Sequence, residues 1–570
     1  MTFMYILGLW DGHDSGAALI KDNVVVYAAN EERFTKRKLE VKFPYNSIRA
    51  ALAFEGIKPS DIKIIAFPTL ELTKTISRIF PGQKEFYYKF RRRKIKRPAL
   101  ENLMHYQKYM MTSIGPLPLC GTISKYEISK KLKEMGFLEF KLYAIDHHEA
   151  HAASAAFTSG FKNAMIVTID GVGDGKCGSI SAFDNEVLTK KKTFPARDSI
   201  GIFYEQITNI LGMRELEDEG KIMAMADYSY PFPFKDNKLK NFFSINGTKI
   251  KAKYGPIKQY KMLRDLAWST PREQLAYMSQ QLLEDTMVKF FSNVKKEFGY
   301  EYIASSGGIM SNVKANMRIR EETGIKDIYI FPHMGDGGIA LGAAMQVNYL
   351  INGVTAYEFN NAYLGNSYND SYIKNEIKKF KELEFEEDMD KSNHAAELIS
   401  KDNYLFWFQG RMEFGPRALG NRSIIAKAGS EMVKDKLNLY VKKREWFQPF
   451  APSMLEEESI RMLENVNGKY NKFMTMAYKV KKEFQEQMKS VVHVDMTARP
   501  QMVGKENESY RKLLTRVKKL DGCGVVLNTS LNIHGMPIAM EPVDVIKAAI
   551  ETKTRYMFLG NYFVENKNYR

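Results

Sequence analysis

Cysteine is scarce. The three in 570 residues, Cys120, Cys177 and Cys523, lie far apart and form no CxxC pair. That argues against a disulfide framework and a thiolate zinc site, and it suits a reducing compartment. Long apolar runs are absent too: no stretch approaches the roughly 20 apolar residues that cross a bilayer. The N-terminus, MTFMYILGLWDGHDSG, turns polar at Asp11 without a basic lead or a signal-peptide apolar run. A cytoplasmic protein with no membrane partner is expected. Histidine is also rare, nine in the chain, yet His147, His148 and His151 fall within five residues.

What is present is ordinary for a globular protein, with 44% hydrophobic and 26% charged residues. A chain of 570 residues exceeds one core, so two domains, or three, are expected. The net charge of +17 reads either as a lysine-rich surface or as attraction for polyanions. Its densest run, Lys89 to Arg97, adjoins Phe86, Tyr87 and Tyr88. Such interleaving can hold nucleic acid, but a solvated helix face accounts for it equally well.

Apolar runs separated by turns predict strands at Tyr5–Leu9, Ala17–Ile20 and Val24–Ala29, then Ile64–Phe67 and Glu139–Ile145. A second set is expected at Ala164–Asp170, Gly178–Phe183, Tyr302–Ser305 and Asp327–Phe331. The repeated hairpin and glycine turn suggest an internal duplication. Residues 70–120 read as a mostly helical, basic and aromatic insertion. The Ala-rich segment after His151 and the small-residue segment Ile339–Tyr349 read as helices. A charged, turn-rich stretch near 355–395 separates these from a second unit opening at Tyr404–Phe408.

His147 and His151 stand four apart, so a helix puts both imidazoles on one face, within reach of one ion. Asp170 and Asp336 each follow an apolar strand in a glycine turn, where α/β folds open onto ligands. Two imidazoles with two carboxylates suit Fe(II), Mn(II) or Zn(II) better than Mg(II) or Ca(II). Glu149, between the histidines, is a candidate orienter or base. His13, in the turn after the first strand, is the candidate general base, with Asp14 to orient it. Farther on, Gly410-Arg-Met-Glu-Phe-Gly-Pro-Arg-Ala-Leu-Gly-Asn-Arg-Ser423 sets three arginines among glycines, and guanidinium forks match phosphate oxygens. Lys442-Lys-Arg444, His493 to Gln501 and Leu527 to Asn532 extend that set.

HHEAH, TIDGVGDG, SSGGIMSN and HMGDGG together resemble the metal-binding domain of the Kae1-like family. With GHDSGAAL in front, the chain resembles the NodU/CmcH-type O-carbamoyltransferases over nearly its whole length. The resemblance implies an α/β protein. Residues 1–355 would form a Kae1-like, actin/ASKHA-type duplicated domain and 395–570 a YrdC-like α/β domain, joined by a linker at 356–394. It implies His147, His151, Asp170 and Asp336 as ligands, with iron as the ion. It implies Arg417 and Lys442 as phosphate-holding catalytic residues, Arg499 on carbamoyl phosphate, and Asn528 with Ser530 on nucleotide phosphate or its Mg(II). Gly307, Gly308, Asn312 and Lys221 would cradle nucleotide. The implied reaction forms carbamoyl adenylate from carbamoyl phosphate and ATP and passes the carbamoyl group to the hydroxyl of a small molecule or glycan. One departure is Gln448, where the family commonly has arginine before PFAP; Arg444 or Lys443 could compensate. The rival reading is a tRNA-modifying, threonylcarbamoyl-type transferase using the 89–97 run. Nucleic acid is nevertheless not expected as a partner. Oligomeric state is not legible, a homodimer being one option.

Overall fold

The computed structural model describes residues 3–95 and 101–569. The chain forms two compact units, Met1–Glu31 with Leu39–Phe359, and Glu32–Lys38 with Asn360–Arg570.

In the first unit, β1 (Tyr5–Trp10), β2 (Gly16–Lys21) and β3 (Val24–Asn30) make an antiparallel meander. Then β4 (Ile64–Pro68) and β5 (Lys141–Ile145) add in parallel beside β1, giving the order 3-2-1-4-5. The pattern recurs. A second meander, β6 (Asn163–Gly173), β7 (Lys176–Asp184) and β8 (Val187–Pro195), precedes a small hairpin of β9 (Phe243–Asn246) and β10 (Lys249–Ala252). β11 (Tyr302–Ser306) and β12 (Asp327–Ile330) then join in parallel beside β6. The two sheets have equivalent strand orders, so the duplication is a fact of topology. β1 is buried at every position, which is why it reads as an unbroken apolar run rather than an alternating one.

Two helices cross over between the sheets. His147–Thr158 follows β5 of the first sheet but packs on β6 and β11 of the second. Ile339–Asn352 follows β12 of the second but packs on β1, β2 and β4 of the first, and the two helices lie against each other. Their small residues permit this closeness. A Cβ on Gly342 would stand 2.0 Å from the Ala150 carbonyl oxygen. The crossing carries the His147–His151 face and the turn that holds Asp336 toward one point.

The 70–120 insertion is helical, with Leu72–Ile79, Pro81–Arg91 and Glu101–Thr112, and a further helix Cys120–Glu134 follows it. The basic run does not face solvent as a patch. Arg91 is buried and pairs with Glu215 at 2.8 Å and Glu205 at 2.6 Å; Lys108 pairs with the same two carboxylates. Arg92 is buried as well. Lys96 and Arg97, the end of the run, lie outside the described residues. Lys89 and Lys94 remain exposed, but with Arg91 spent on buried carboxylates and Arg92 buried, the RNA reading is not favoured.

The second unit holds an eight-stranded sheet. Its strands are β13 (Leu383–Glu387), β14 (Leu405–Phe408), β15 (Arg422–Lys427), β16 (Ala451–Leu455), then, after the separate pair β17 (Tyr478–Lys479) and β18 (Thr497–Ala498), β19 (Gln501–Val503), β20 (Val525–Ser530), β21 (Tyr556–Leu559) and β22 (Tyr562–Asn566). Their order is 13-22-21-14-15-20-16-19. Trp407, Ile425, Leu514, Val526 and Phe558 center its core, covered by the helices Lys391–Ser400 and Glu508–Asp521. Residues 356–394 are not simply a linker. They supply the helix Asp370–Ile377 and the edge strand β13, and edge strands carry charge for the same reason linkers do: one side faces water. Glu32–Lys38, far away in sequence, also belongs to this unit, with Arg33 Nη2 donating to the Gly415 carbonyl at 2.8 Å.

Candidate functional site

In the first unit, the Asp146 carboxylate caps the His147–Thr158 helix by accepting from the His148 and Glu149 amides. Asp174, in the turn after β6, accepts from the His147 amide at 2.9 Å and the Leu70 amide at 2.6 Å. This fixes the first helical turn against β4. Gly173 lies under the His147 ring: a Cβ there would come within 2.2 Å of it. One ligand atom from each of His147, His151, Asp170 and Asp336 falls within 4.8 Å of the others, and all four residues are buried. His147 Nε2 is 3.3 Å from Asp170 Oδ2 and 3.5 Å from Asp336 Oδ1.

The outer contacts orient the rings. His147 Nδ1 bonds Thr69 Oγ1 at 2.9 Å, and His151 Nδ1 bonds Ser306 Oγ at 3.0 Å. Ser306 donates to the Met334 carbonyl, so its oxygen receives the Nδ1 proton and His151 Nε2 is the acceptor. Among the described residues that nitrogen is buried without a hydrogen-bond partner, its lone pair turned toward the Asp336 carboxylate at 3.6 Å. Asp170 Oδ1 accepts from the Gly308 amide at 2.7 Å. Burial opposes protonation of His147, but Asp336 and Asp170 outweigh it and raise its pKa to about 9. Burial would raise Asp336, yet His13 and His147 bring it below the usual carboxylate range. The donor set fits a divalent transition ion.

Two neighbors in sequence are not part of this group. His148 is spent on Thr168 Oγ1 at 3.0 Å and the Lys176 carbonyl at 3.2 Å. Glu149 pairs outward with Lys190 at 2.6 Å, which corrects its reading as orienter or base. His13 Nε2 sits 3.2 Å from Asp336 Oδ2, and its ring is flanked by Trp10 and Tyr88. Burial lowers its pKa to about 4, Asp336 resisting and Lys74, Arg91 and Arg92 reinforcing the shift. Asp14 faces His333 at 3.7 Å; the carboxylate in reach of the His13 ring is that of Asp336. Gly307 has φ +108° and Gly308 lies against Asp170, while Asn312 caps the Val313–Glu322 helix. Lys221 is paired with Asp218 at 3.1 Å.

In the second unit the three loop arginines part company. Arg411 donates to the Gly365 and Leu364 carbonyls. Arg422, fully buried, donates to the Gln409, Asn421, Asn366 and Gly410 carbonyls. Both are structural. Arg417 alone has no hydrogen bond or ion pair among the described residues, and burial lowers its pKa to about 10. Arg499 is pushed well below the usual arginine range by burial, then by Arg417 and Arg444, and its Nε has no hydrogen-bond partner among the described residues. Lys442 is lowered by burial, then by Arg444 and Lys38, and donates to Ser530 and Asn532. Asn528 ties β20 to the loop through the Ala418 carbonyl at 3.1 Å. Arg444 stacks on Phe450 at 4.2 Å, and Gln448 turns to Glu445. Lys38, delivered by the crossing segment, escaped the sequence reading, since no local motif reports so distant a contact. Cations that repel one another in a desolvated pocket are stabilised by an anion.

The chain thus sets a buried His₂Asp₂ group in a duplicated α/β unit and clustered buried cations in the unit that follows. The chain belongs to the carbamoyltransferase family and is a carbamoyltransferase. Residues 5–345 match the carbamoyltransferase N-terminus and 396–566 the carbamoyltransferase C-terminus. It is 31% identical to the uncharacterized protein MJ1051 of Methanocaldococcus jannaschii over 98% of this chain and 99% of that one. MJ1058 of the same organism is 37% identical over 77% and 76%. The nodulation protein NolNO of Sinorhizobium fredii is 29% identical over 97% of this chain and 79% of its own. No helix among the described residues is long and apolar enough to cross a membrane.

Proposed function

We propose that this carbamoyltransferase uses ATP: its YrdC-like second unit makes carbamoyl adenylate, and its Kae1-like first unit transfers the carbamoyl group to an acceptor hydroxyl. The single observation that carries this reading is Arg417, unpaired among the described residues, beside Arg499, with Arg444 repelling both Arg499 and Lys442. Two polyanions held side by side need several fixed cations. Water converts carbamoyl phosphate to carbamate and inorganic phosphate. A carbamate oxygen then bonds to the α-phosphorus of ATP as the bond to the β-phosphate bridge breaks, releasing pyrophosphate. Arg417, Arg499 and Lys442 hold the phosphates, Arg444 supplies the charge absent at Gln448, and Ser530 lies with Lys442 at the nucleotide side. Mg(II) accompanies ATP.

In the first unit, His147, His151, Asp170 and Asp336 would hold Fe(II), or Mn(II) or Zn(II). Bound there, such an ion supplies Lewis-acid charge for a phosphate or carbonyl oxygen. His13, neutral near pH 7, accepts the acceptor's hydroxyl proton while that oxygen bonds to the carbamoyl carbon and AMP leaves. Gly307 and Gly308 offer the close backbone approach that nucleotide binding needs. The protein should release pyrophosphate only when given both ATP and carbamoyl phosphate. H13N should keep that step and lose transfer, whereas R417M should lose both. Full pyrophosphate release by R417M would refute the reading.

A further inference from the structure

Beyond its electrostatic effect on His13, Lys74 has no role in the chemistry above. It lies on the helix Leu72–Ile79, whose orientation is fixed one turn on. Arg78 there makes two bonds of 2.9 Å to the Asp11 carboxylate, and Thr75 bonds Ser124 at 3.0 Å. Lys74 is therefore held inward, only 7% exposed. Among the described residues its ammonium makes no hydrogen bond or ion pair; it stands 4.4 Å over the Trp10 ring. That ring is 6.5 Å from His13 and 6.3 Å from His147. The nearest carboxylate in sequence, Glu71, is engaged by Thr73 Oγ1 at 2.6 Å and the Asp174 amide at 3.1 Å. On the other flank of His13, Tyr88 carries Arg92 at 5.4 Å over its ring.

The one carboxylate whose charge it feels, Glu71, is thus already engaged, so among the described residues this buried ammonium has a ring face but no hydrogen-bonded counterion of the kind that normally accompanies burial. Its place is beside the candidate base, whereas the glycines assigned to nucleotide lie elsewhere, Gly308 against Asp170 and Gly307 against Ile169. We propose that the insertion is the acceptor-recognition wall of this unit, and that Lys74 selects an acceptor alcohol bearing an anionic group, a phosphate or a carboxylate. This rests on the reading of the first unit as the transfer site.

The test is equilibrium binding of glucose, glucose 6-phosphate and glucuronate to the full chain carrying R417M and R499M, which remove the competing phosphate pocket. Both charged sugars should bind at least about tenfold more tightly than glucose, the scale of one charge-assisted hydrogen bond. K74M should abolish that preference, K74R should keep it, and AMP binding should be the same in all three. Equal binding of the sugars, no sugar binding, a preference that survives K74M, or AMP binding weakened by K74M would each overturn the proposal. If only one charged sugar is preferred, the group is phosphate or carboxylate accordingly, and the proposal stands. Pyrophosphate release, measured separately with Arg417 and Arg499 intact, tests the parent reading; its absence alongside a Lys74-dependent preference would fell that reading and leave the anion site.

Discussion

Glu413 is the residue on which the Arg417 loop depends, and replacing it isolates preorganisation from charge. Its carboxylate is only 2% exposed. One oxygen, Oε1, accepts three backbone amides, from Leu419 at 2.8 Å, Asn421 at 2.9 Å and Arg422 at 3.1 Å. Glu413 before Arg417 and these amides after it close the turn that presents Arg417, and Gly415 and Gly420, at φ +126° and +97°, allow the chain to fold back on the carboxylate. Glu413→Gln keeps the shape and an acceptor oxygen but removes the charge. It also puts an NH₂ where Oε2 is now buried without a partner. Three charge-assisted bonds become neutral and one buried donor is orphaned, together about 3 kcal/mol of loop order. Amide exchange across 415–422 should accelerate by roughly 100-fold. Pyrophosphate release should fall in kcat/KM for carbamoyl phosphate, while ion content of the first unit stays unchanged. Wild-type exchange rates in E413Q would refute the idea that this carboxylate holds the loop.

Ion content measured by mass spectrometry should fall from roughly one per chain to near zero in H151A and in D170N, with pyrophosphate release retained. Gly342→Ala should cost about 3 kcal/mol in urea unfolding and lower ion content, because the new methyl meets the Ala150 carbonyl between the crossed helices. Arg78→Met leaves the buried Asp11 carboxylate without its hydrogen-bonded guanidinium and should cost about 3–5 kcal/mol at pH 7. Burial alone would raise Asp11, but Arg78, then Lys84 and Lys131, depress it strongly. The contribution of the pair is therefore present above about pH 4 and declines as pH falls below it, so the gap between wild type and R78M should narrow in acid.

Much of this was legible because it is local. A helix predicts that residues four apart share a face, so His147 and His151 could be paired from spacing alone; the strand-end aspartates followed from apolar runs meeting glycine turns. Roles that depend on nonlocal partners were not legible. Arg411, Arg417 and Arg422 look alike in sequence, and only the carbonyls around the first and third distinguish fasteners from a free guanidinium. The basic run at 89–97 read as surface because nothing near it announces Glu205 and Glu215, more than a hundred residues away. β13 read as linker because a half-exposed edge strand and a tether have the same composition.

The crossed helices bring four candidate ligands together from distant segments, and protein hydrogen bonds hold three of them. His147 is held by Asp174 and Thr69, His151 by Ser306 and Asp170 by Gly308, and none of these bonds involves the ion. The cost of order is met by helix packing through Ala150, Gly342 and Ala340, which is small-residue contact rather than electrostatics. Ion-free protein should therefore keep its fold and cooperativity, gaining in melting temperature on ion addition only by mass action. Ser306→Ala separates the two contributions. It leaves the helix packing intact but frees the His151 tautomer, so it should weaken ion affinity about 10-fold or more with little change in ion-free stability. Ion-free protein that unfolds, or an S306A variant that binds as tightly as wild type, would show that the ion builds this site rather than filling it.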